Sequence, residues 1–504
     1  MELIIAELSR YVLIILFAFY TLFSFRAFSR KTEEGKNAVW HAQRTITVLI
    51  LLLCGSILIM ETKELRYLVL LGLELAFYVF FVKIYQVFYR GLSKLVLNNM
   101  MICMMIGLVM LGRLKYEYAI RQLVMAAAAM AVCLLVPLFI ERFTIWEKLS
   151  WQYALAGILF LMLVFVIGVE KYGAKNWISL GGIDIQPSEF VKIIYVFFIA
   201  GALSKFRDFK HIVVISAIAA VHVLILVAST DLGTAFVFFM AYVVVIYVAT
   251  RKARYPLLGL AGMSAACVVA YFLFSHVRNR VALWQDPIGN WDISSQLAQG
   301  LFGMCSGGWF GTGLFEGRPD IIPVATKDFI FCAICEEMGI IFGICLILLC
   351  MSTFLLIINI SMKMSKRFYK LIAMGLGTEY ATQVFLTIGG TIKFIPMTGI
   401  TLPLVSYGGS SMFSTVLMLS IIQGLYILRE DEGEELEKRR NKKKRNQQKN
   451  DPGAKKKRRP DEETERRKKS GGRNDGQGTR QKYREQPDEF ERRIEEQTEN
   501  SLHW

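Results

Sequence analysis

The strongest constraint on this chain is the spacing of its apolar runs. About thirteen stretches approach the length needed to cross a bilayer as a helix, and short charged loops separate most of them. Their approximate positions are 4–25, 45–60, 66–89, 98–113, 120–140, 152–169, 188–204, 211–228, 232–250, 255–275, 329–356, 371–390 and 410–428. Within hydrocarbon every backbone N–H and C=O must find a partner in the protein, which leaves helices or closed barrels. The runs are continuous rather than alternating, so a barrel is excluded. With 54 % of its residues hydrophobic, the chain is expected to be an all-α polytopic membrane protein. The first run lacks a basic start and a small-residue cleavage site, so it is expected to be a retained span.

The net charge of +16 matters less than where it lies. From Arg429 onward the sequence is hydrophilic, with basic blocks at 442–445 and 455–459 and acidic residues between them. Such a composition cannot bury a core, so 429–504 is expected to be a disordered, charged cytoplasmic tail. The simplest reading is a solvated tail that holds topology. Its basic blocks also suit anionic lipid headgroups, and nucleic acid is not expected as a partner.

Basic residues also sort the loops. Arg26, Arg30 and Lys31, Arg90 and Lys94, Arg142 and Lys148, Lys205, Arg207 and Lys210, Arg251, Lys252 and Arg254, and Lys363 to Lys370 fall in alternate loops. The positive-inside rule puts these on the cytoplasmic side, with the N-terminus outside. The loops around Trp177, at 276–328 and at 391–409 then share the outer face. Of nine cysteines most lie inside apolar runs, and Cys332 and Cys335 form a C-x-x-C with no second pair, which does not suggest a metal site.

Several segments break the helical pattern. Asp231 and Gly233 stand between two apolar runs, and 389–411 mixes Gly, Pro and Ser with apolar residues. Pro396 and Pro403 cannot continue a helix, so a re-entrant or surface-lying loop is expected there. Pro187 suits a helix start, with Glu189 and Lys192 spaced to pair on one face. Asp328 closes the polar stretch 276–328 at the mouth of the next apolar run. A carboxylate there can serve as a general base or simply as a helix N-cap.

Four segments in order carry a resemblance. They are G-A-x-x-W-I followed by Q-P-S-E-F-x-K at 173–192, D-L-G-T at 231–234, S-G-G-W-F-G-T-G-L at 306–314 leading into D-F-I-F-x-x-I-x-E-E-x-G at 328–339, and P-x-T-G-I-x-L-P-L-V-S-Y-G-G-S-S at 396–411. Over about 98–428 the chain resembles the SEDS family, which includes RodA, FtsW and SpoVE. The resemblance implies a ten-helix catalytic core, and residues 1–97 are then about three extra N-terminal transmembrane helices. It also implies a peptidoglycan glycosyltransferase that polymerises lipid II into glycan strands on the outer membrane face. A class B penicillin-binding transpeptidase is the implied partner, and a divalent cation, Mg or Mn, the implied cofactor.

The family's catalytic carboxylate falls on Asp328. An α-linked diphosphate that becomes a β-glycosidic bond requires single displacement with inversion, for which one base is enough. Substrate contacts are expected from Lys175, Trp177, Gln186, Ser188, Glu189, Lys192, Asp231, Arg280, Gln296, Lys393, Ser406, Gly408 and Ser410. The chain departs from the family where P-E-x-H-T-D is replaced by Pro323-Val324-Ala325-Thr326-Lys327-Asp328, where Thr387 replaces Asn, and where Ser229-Thr230 replaces Q-P before Asp231. Lys327 is expected to favour the ionised form of Asp328. A lipid II flippase, or a silent scaffold of the synthesis complex, are the alternatives. Against the flippase, ionisable residues near the middles of the spans are few.

Overall fold

The protein was analysed as a computed structural model, which describes residues 2–30, 32–143, 145–171, 174–180, 183–206, 208–289 and 291–450. Side chains at 2–6, 170–171, 174–175, 180, 183, 276, 291–294 and 431–450 lie outside the description. The long helices are α1 (Glu2–Ser29), α2 (Glu33–Thr62), α3 (Leu65–Phe88), α4 (Lys94–Leu114), α5 (Tyr116–Cys133), α6 (Val136–Arg142), α7 (Ser150–Ile167), α8 (Ser188–Lys205), α9 (Phe209–Ala228), α10 (Leu232–Thr250) and α11 (Arg254–Leu273). Then come α12 (Ser275–Gln285), α13 (Trp291–Gly307), α14 (Ile330–Met362), α15 (Arg367–Thr391) and α16 (Gly409–Asn450).

Among the described residues twelve helical segments are long and apolar enough to cross a membrane, with α5 and α6 forming one of them. Helix α8, the seventh of the thirteen apolar runs, carries Glu189, Lys192 and Lys205, which keep it out of the twelve. The polytopic all-α expectation therefore holds. Two features go beyond it. A small antiparallel sheet, β1 (Val169–Lys171), β2 (Ala174–Leu180) and β3 (Ile183–Ile185), in the order β1-β2-β3, follows α7. The 276–328 loop is largely helical, formed by α12, α13 and a single 3-10 turn at 319–321.

The chain divides into two compact units, 1–435 and 436–504. Helix α16 runs to Asn450, well past the point near 428 where the sequence turns hydrophilic. Residues 451–504, most of the expected disordered tail, lie outside the described residues.

The core centres on α4. Its sequence is apolar all round and rich in methionine, with Met100, Met101, Met104, Met105 and Met110 buried. A helix without a polar face must be enclosed, and unbranched methionine fills irregular gaps between neighbours. Helix α1 packs against α14 through stacked Phe17 and Phe342, with ring centroids 4.2 Å apart. The Thr21 hydroxyl donates to the Cys345 carbonyl at 3.4 Å and the Asn99 amide to Thr353 Oγ1 at 3.1 Å, so polar contacts tie α1 and α4 to α14. The extra helices are thus built into the core. Helix α11, by contrast, has no buried residue.

Helix α14 is broken at Gly339, whose φ of 89° belongs to the left-handed region that glycine tolerates. The break receives the loop 308–318. Thr312 and Gly313 donate their backbone N–H groups to the carbonyls of Glu336 and Glu337, each at 2.9 Å, and Ile340 donates to Gly308 O at 3.0 Å. Glu337 accepts from Arg113 Nε at 2.8 Å, and Glu336 accepts from the Arg318 N–H at 2.8 Å. The E-E-x-G motif is therefore a clamp that satisfies non-helical backbone, as burial away from water requires. Two further carboxylic acids, Glu74 in α3 and Glu379 in α15, are buried within spans.

Candidate active site

The segment between α15 and α16 is non-helical from Lys393 to Gly408, with left-handed backbone at Lys393, Gly399 and Leu404. It dips into the helix bundle. A Cβ on Gly107 of α4 would stand 2.4 Å from the Val405 carbonyl oxygen, so only glycine admits the loop there. Gly107 lies seven residues before Leu114, about 10 Å along the helix at 1.5 Å per residue. The expected re-entrant loop is present.

Hydrogen bonds hold this loop to the segment that carries Asp328. The Tyr407 N–H donates to Thr326 O at 2.8 Å, and the Ser406 hydroxyl donates to Lys327 O at 2.7 Å. Ser406 Oγ also accepts from the Leu402 N–H at 2.9 Å. Gln122 of α5 donates to Ser406 O at 3.1 Å and accepts from the Gly408 N–H at 3.2 Å. The Ser410 hydroxyl accepts from the Gln186 N–H at 3.0 Å. Ser406, Gly408 and Ser410 therefore fasten the loop to its frame. Gln122 was missed in the sequence, although a glutamine within an apolar run is a readable signal.

Below the loop lies a buried polar frame. Lys192 Nζ donates to Glu189 Oε2 at 2.6 Å and to Gln383 Oε1 at 2.8 Å. Glu189 also accepts from the Ser414 hydroxyl at 2.7 Å. The expected pair on one face of α8 exists, but it is enclosed and joins three helices. Gln383 continues upward, donating to Thr401 O at 3.2 Å, and Thr387 donates to Ile400 O at 3.0 Å. Ser188 is buried beside this frame with no hydrogen-bond partner for its hydroxyl among the described residues.

Asp231 caps α10, its Oδ1 accepting from the Thr234 N–H at 3.1 Å. Its other oxygen accepts from Asn176 Nδ2 at 2.6 Å and Gln186 Nε2 at 3.3 Å. Burial raises its pKa, and the donors from Thr234 and Asn176 oppose that. Asp328 is different. The N-cap position of α14 is Phe329, with no side-chain cap bond, so Asp328 is not spent on capping that helix. Its neighbours are charges acting through space, Lys327 and Arg280. Burial pushes its carboxyl up to about 6, and the two cations pull it back only partly. The direction expected of Lys327 is correct, but desolvation outweighs it. Gly399 leaves the carboxylate open on the loop side: a Cβ there would stand 3.9 Å from Asp328 Oδ2.

Arg280 links the two carboxylates. It projects from the extramembrane helix α12, donates to Thr398 O at 3.5 Å, and lies within Coulombic reach of both Asp231 and Asp328. Burial lowers its pKa and the two acids oppose that. Helix α12 is seated on the loop by Trp284 Nε1, which donates to Lys393 O at 3.0 Å. Lys393 in turn donates to Gln285 O at 3.2 Å, away from the carboxylates.

The remaining expected contacts scatter. Trp177 is half-buried on β2, and Gln296 is exposed on α13 with no hydrogen bond to this centre among the described residues. The Lys175 side chain lies outside the described residues.

Fold and site together define a multi-pass membrane protein with a polar centre under a re-entrant loop, where two acids lie within Coulombic reach of one guanidinium. The profile of the cell cycle proteins FtsW, RodA and SpoVE matches residues 93–430, and the chain belongs to that family. It is 34 % identical over 349 residues to the peptidoglycan glycosyltransferase RodA of Mycobacterium tuberculosis (strain H37Rv), covering 63 % of this chain and 74 % of that one. Stage V sporulation protein E of Bacillus subtilis is 32 % identical over 322 residues, covering 61 % and 86 %. Thermus thermophilus RodA has the same fold, with a TM-score of 0.52 at 24 % identity over 66 % of this chain and 96 % of that one. A chain from a peptidoglycan synthase complex that coordinates polymerization and crosslinking matches with a TM-score of 0.58 at 24 % identity, covering 67 % and 98 %. Helices α1–α3 precede the family match.

Proposed function

We propose that the protein is a peptidoglycan glycosyltransferase that polymerises lipid II, with Asp328 as the general base. The observation that carries the reading is the family match over 93–430, within which the least engaged carboxylate of the centre is Asp328. The acceptor sugar's 4-hydroxyl attacks the anomeric carbon of the donor. As the new C–O bond forms, the bond to the diphosphate-lipid breaks on the opposite face, and the hydroxyl proton passes to Asp328. A base that titrates near 6 is ionised at neutral pH and still accepts a proton readily. Arg280 and Lys327 supply positive charge where the diphosphate leaves.

Among the described residues no three His, Cys, Asp or Glu side chains gather as a metal site. Asp231 or Asp328, the carboxylates within reach of Arg280, would hold a divalent cation, Mg or Mn. When bound it would offset charge on the leaving diphosphate. We assign the face carrying Trp177, Asp328 and the re-entrant loop to the outside, with the N-terminus on that side, from the alternation of basic loops. A class B penicillin-binding transpeptidase is the partner this reading implies, and the likeness to a chain of a synthase complex supports it.

The test is glycan-strand synthesis from purified lipid II in detergent with a divalent cation, comparing wild type with Asp328→Asn, with and without a transpeptidase. Polymer from wild type alone supports enzyme and base together, and equal polymer from both removes Asp328 from the role. A flippase reading is favoured by one observation, the buried Glu379, whose two carboxylate oxygens have no hydrogen-bond partner among the described residues. Lipid II transport into vesicles that survives Asp328→Asn and fails in Glu379→Gln would shift the assignment to transport.

A further inference from the structure

A second polar centre lies far along the bundle from Asp328, where α2, α3 and α4 meet near the ends that carry Lys94 and the 90–93 turn. Among the described residues, its buried polar atoms without a partner are all donors. Arg44 of α2 donates through Nε to Asn98 Oδ1 at 3.2 Å and through Nη1 to Gln86 Oε1 at 3.2 Å. Because a guanidinium only donates, Gln86 must present its oxygen, which leaves its NH2 group without a partner. Among the described residues three of its buried nitrogens have no hydrogen-bond partner: Arg44 Nη2, Gln86 Nε2 and Trp40 Nε1. Trp40 and Arg44 are four residues apart on α2 and so share a face.

Lys94 completes the centre. Its ammonium sits 4.7 Å from the Trp40 ring centroid and donates to Asn37 Oδ1 at 2.7 Å. It is close enough to Arg44 for the two charges to act on each other. Glu33 acts on Lys94 through space and is paired with Lys36 at 2.6 Å. Two cations and three buried N–H donors without acceptors call for an anion with several oxygens. On the neighbouring surface of α3, Val87 and Phe88 are 77 % and 60 % exposed, which suits acyl chains beside a headgroup.

We propose that Trp40, Arg44, Gln86 and Lys94 form a phosphate-binding site between the extra N-terminal helices and the first helix of the family-matched core, occupied by an anionic phospholipid headgroup. The site is independent of the polymerase reading. It ties α2 and α3 to α4 through the lipid, as basic pockets between membrane helices do.

The test is native mass spectrometry of the delipidated full chain titrated with phosphatidylglycerol, with phosphatidylcholine as the zwitterionic control and inorganic phosphate as a competitor. Wild type should retain one phosphatidylglycerol at least about tenfold more tightly than the Arg44→Gln, Lys94→Gln double variant, since charge-assisted hydrogen bonds are lost. Trp40→Phe removes one N–H and keeps the ring, so a loss of about threefold is expected even if the double variant folds poorly. Lys210→Gln, at an exposed cation elsewhere, should change nothing. Displacement by millimolar inorganic phosphate, with no preference between the two lipids, supports the same site with a soluble occupant. Equal retention by wild type, the double variant and Trp40→Phe overturns the proposal, as does an equal loss in Lys210→Gln.

Discussion

Asp231 and Asp328 lie within Coulombic reach of the same guanidinium in opposite situations. Asp231 is held by Thr234, Asn176 and Gln186 and caps a helix. Asp328 stands one residue outside its helix cap and is influenced mainly by charges at a distance. A carboxylate saturated by donors is a structural element, because moving it would strand those donors. A desolvated carboxylate with few donors holds its proton more tightly and is suited to accept one during a reaction. The same contrast applies to Glu189, which is enclosed by Lys192 and Ser414.

The comparison is broken most sharply at Asp328. Asp328→Asn should lower the rate of glycan synthesis by about 10²- to 10⁴-fold, the usual contribution of a positioned base, with lipid II binding retained. A comparable loss in binding would mean that the residue shapes the groove instead. The next largest effect belongs to the frame. Lys192→Met leaves Glu189 buried and unpaired and should cost about 3–5 kcal/mol of stability in thermal or denaturant unfolding. If Lys192→Met unfolds like wild type, the enclosed pair contributes nothing and the frame argument fails.

The pH profile sharpens the contrast. On the proposed reading Asp328 works ionised, so kcat/KM should be level above about 6 and fall as pH drops through that value. Arg280→Gln removes a cation that lowers the Asp328 pKa, so the acid limb should move to higher pH. A limb that stays in place would show that Arg280 does not act on this carboxylate. The smallest effect is expected at Gly399, whose φ is 73°. Gly399→Ala should cost about 1–2 kcal/mol from left-handed backbone alone. A much larger loss of activity than of stability would mean that the open approach to Asp328 matters beyond the backbone.

Much of this was legible in the residues. The thirteen apolar runs, the re-entrant segment around Pro396 and Pro403, and the Glu189–Lys192 pair all follow from local rules of length, imino geometry and helical spacing. Asp328 was legible too, as an acid ending a polar stretch. Other roles were not. Ser406, Gly408 and Ser410 have the composition of a binding loop, yet their bonds go to Lys327, Gln122 and Gln186 in distant segments. Lys393 is among the expected substrate contacts, yet its ammonium donates to the Gln285 carbonyl. Gln122 is readable as a polar residue in an apolar run, but its partners Ser406 and Gly408 lie in a distant segment that no local pattern names.

The sequence by itself determined that the chain crosses the membrane many times, where the helices lie, and which motif places an acid at the mouth of a span, because these depend on transfer free energy and on residues adjacent along the chain. Only the tertiary structure decided which carboxylate is saturated and which is open, that the E-E-x-G motif clamps a broken helix, and that the N-terminal helices are packed into the core. Those outcomes rest on hydrogen bonds and desolvation between residues up to some 300 positions apart, such as Arg10 donating to the Gly311 carbonyl. No local pattern encodes which of many buried donors will meet which acceptor.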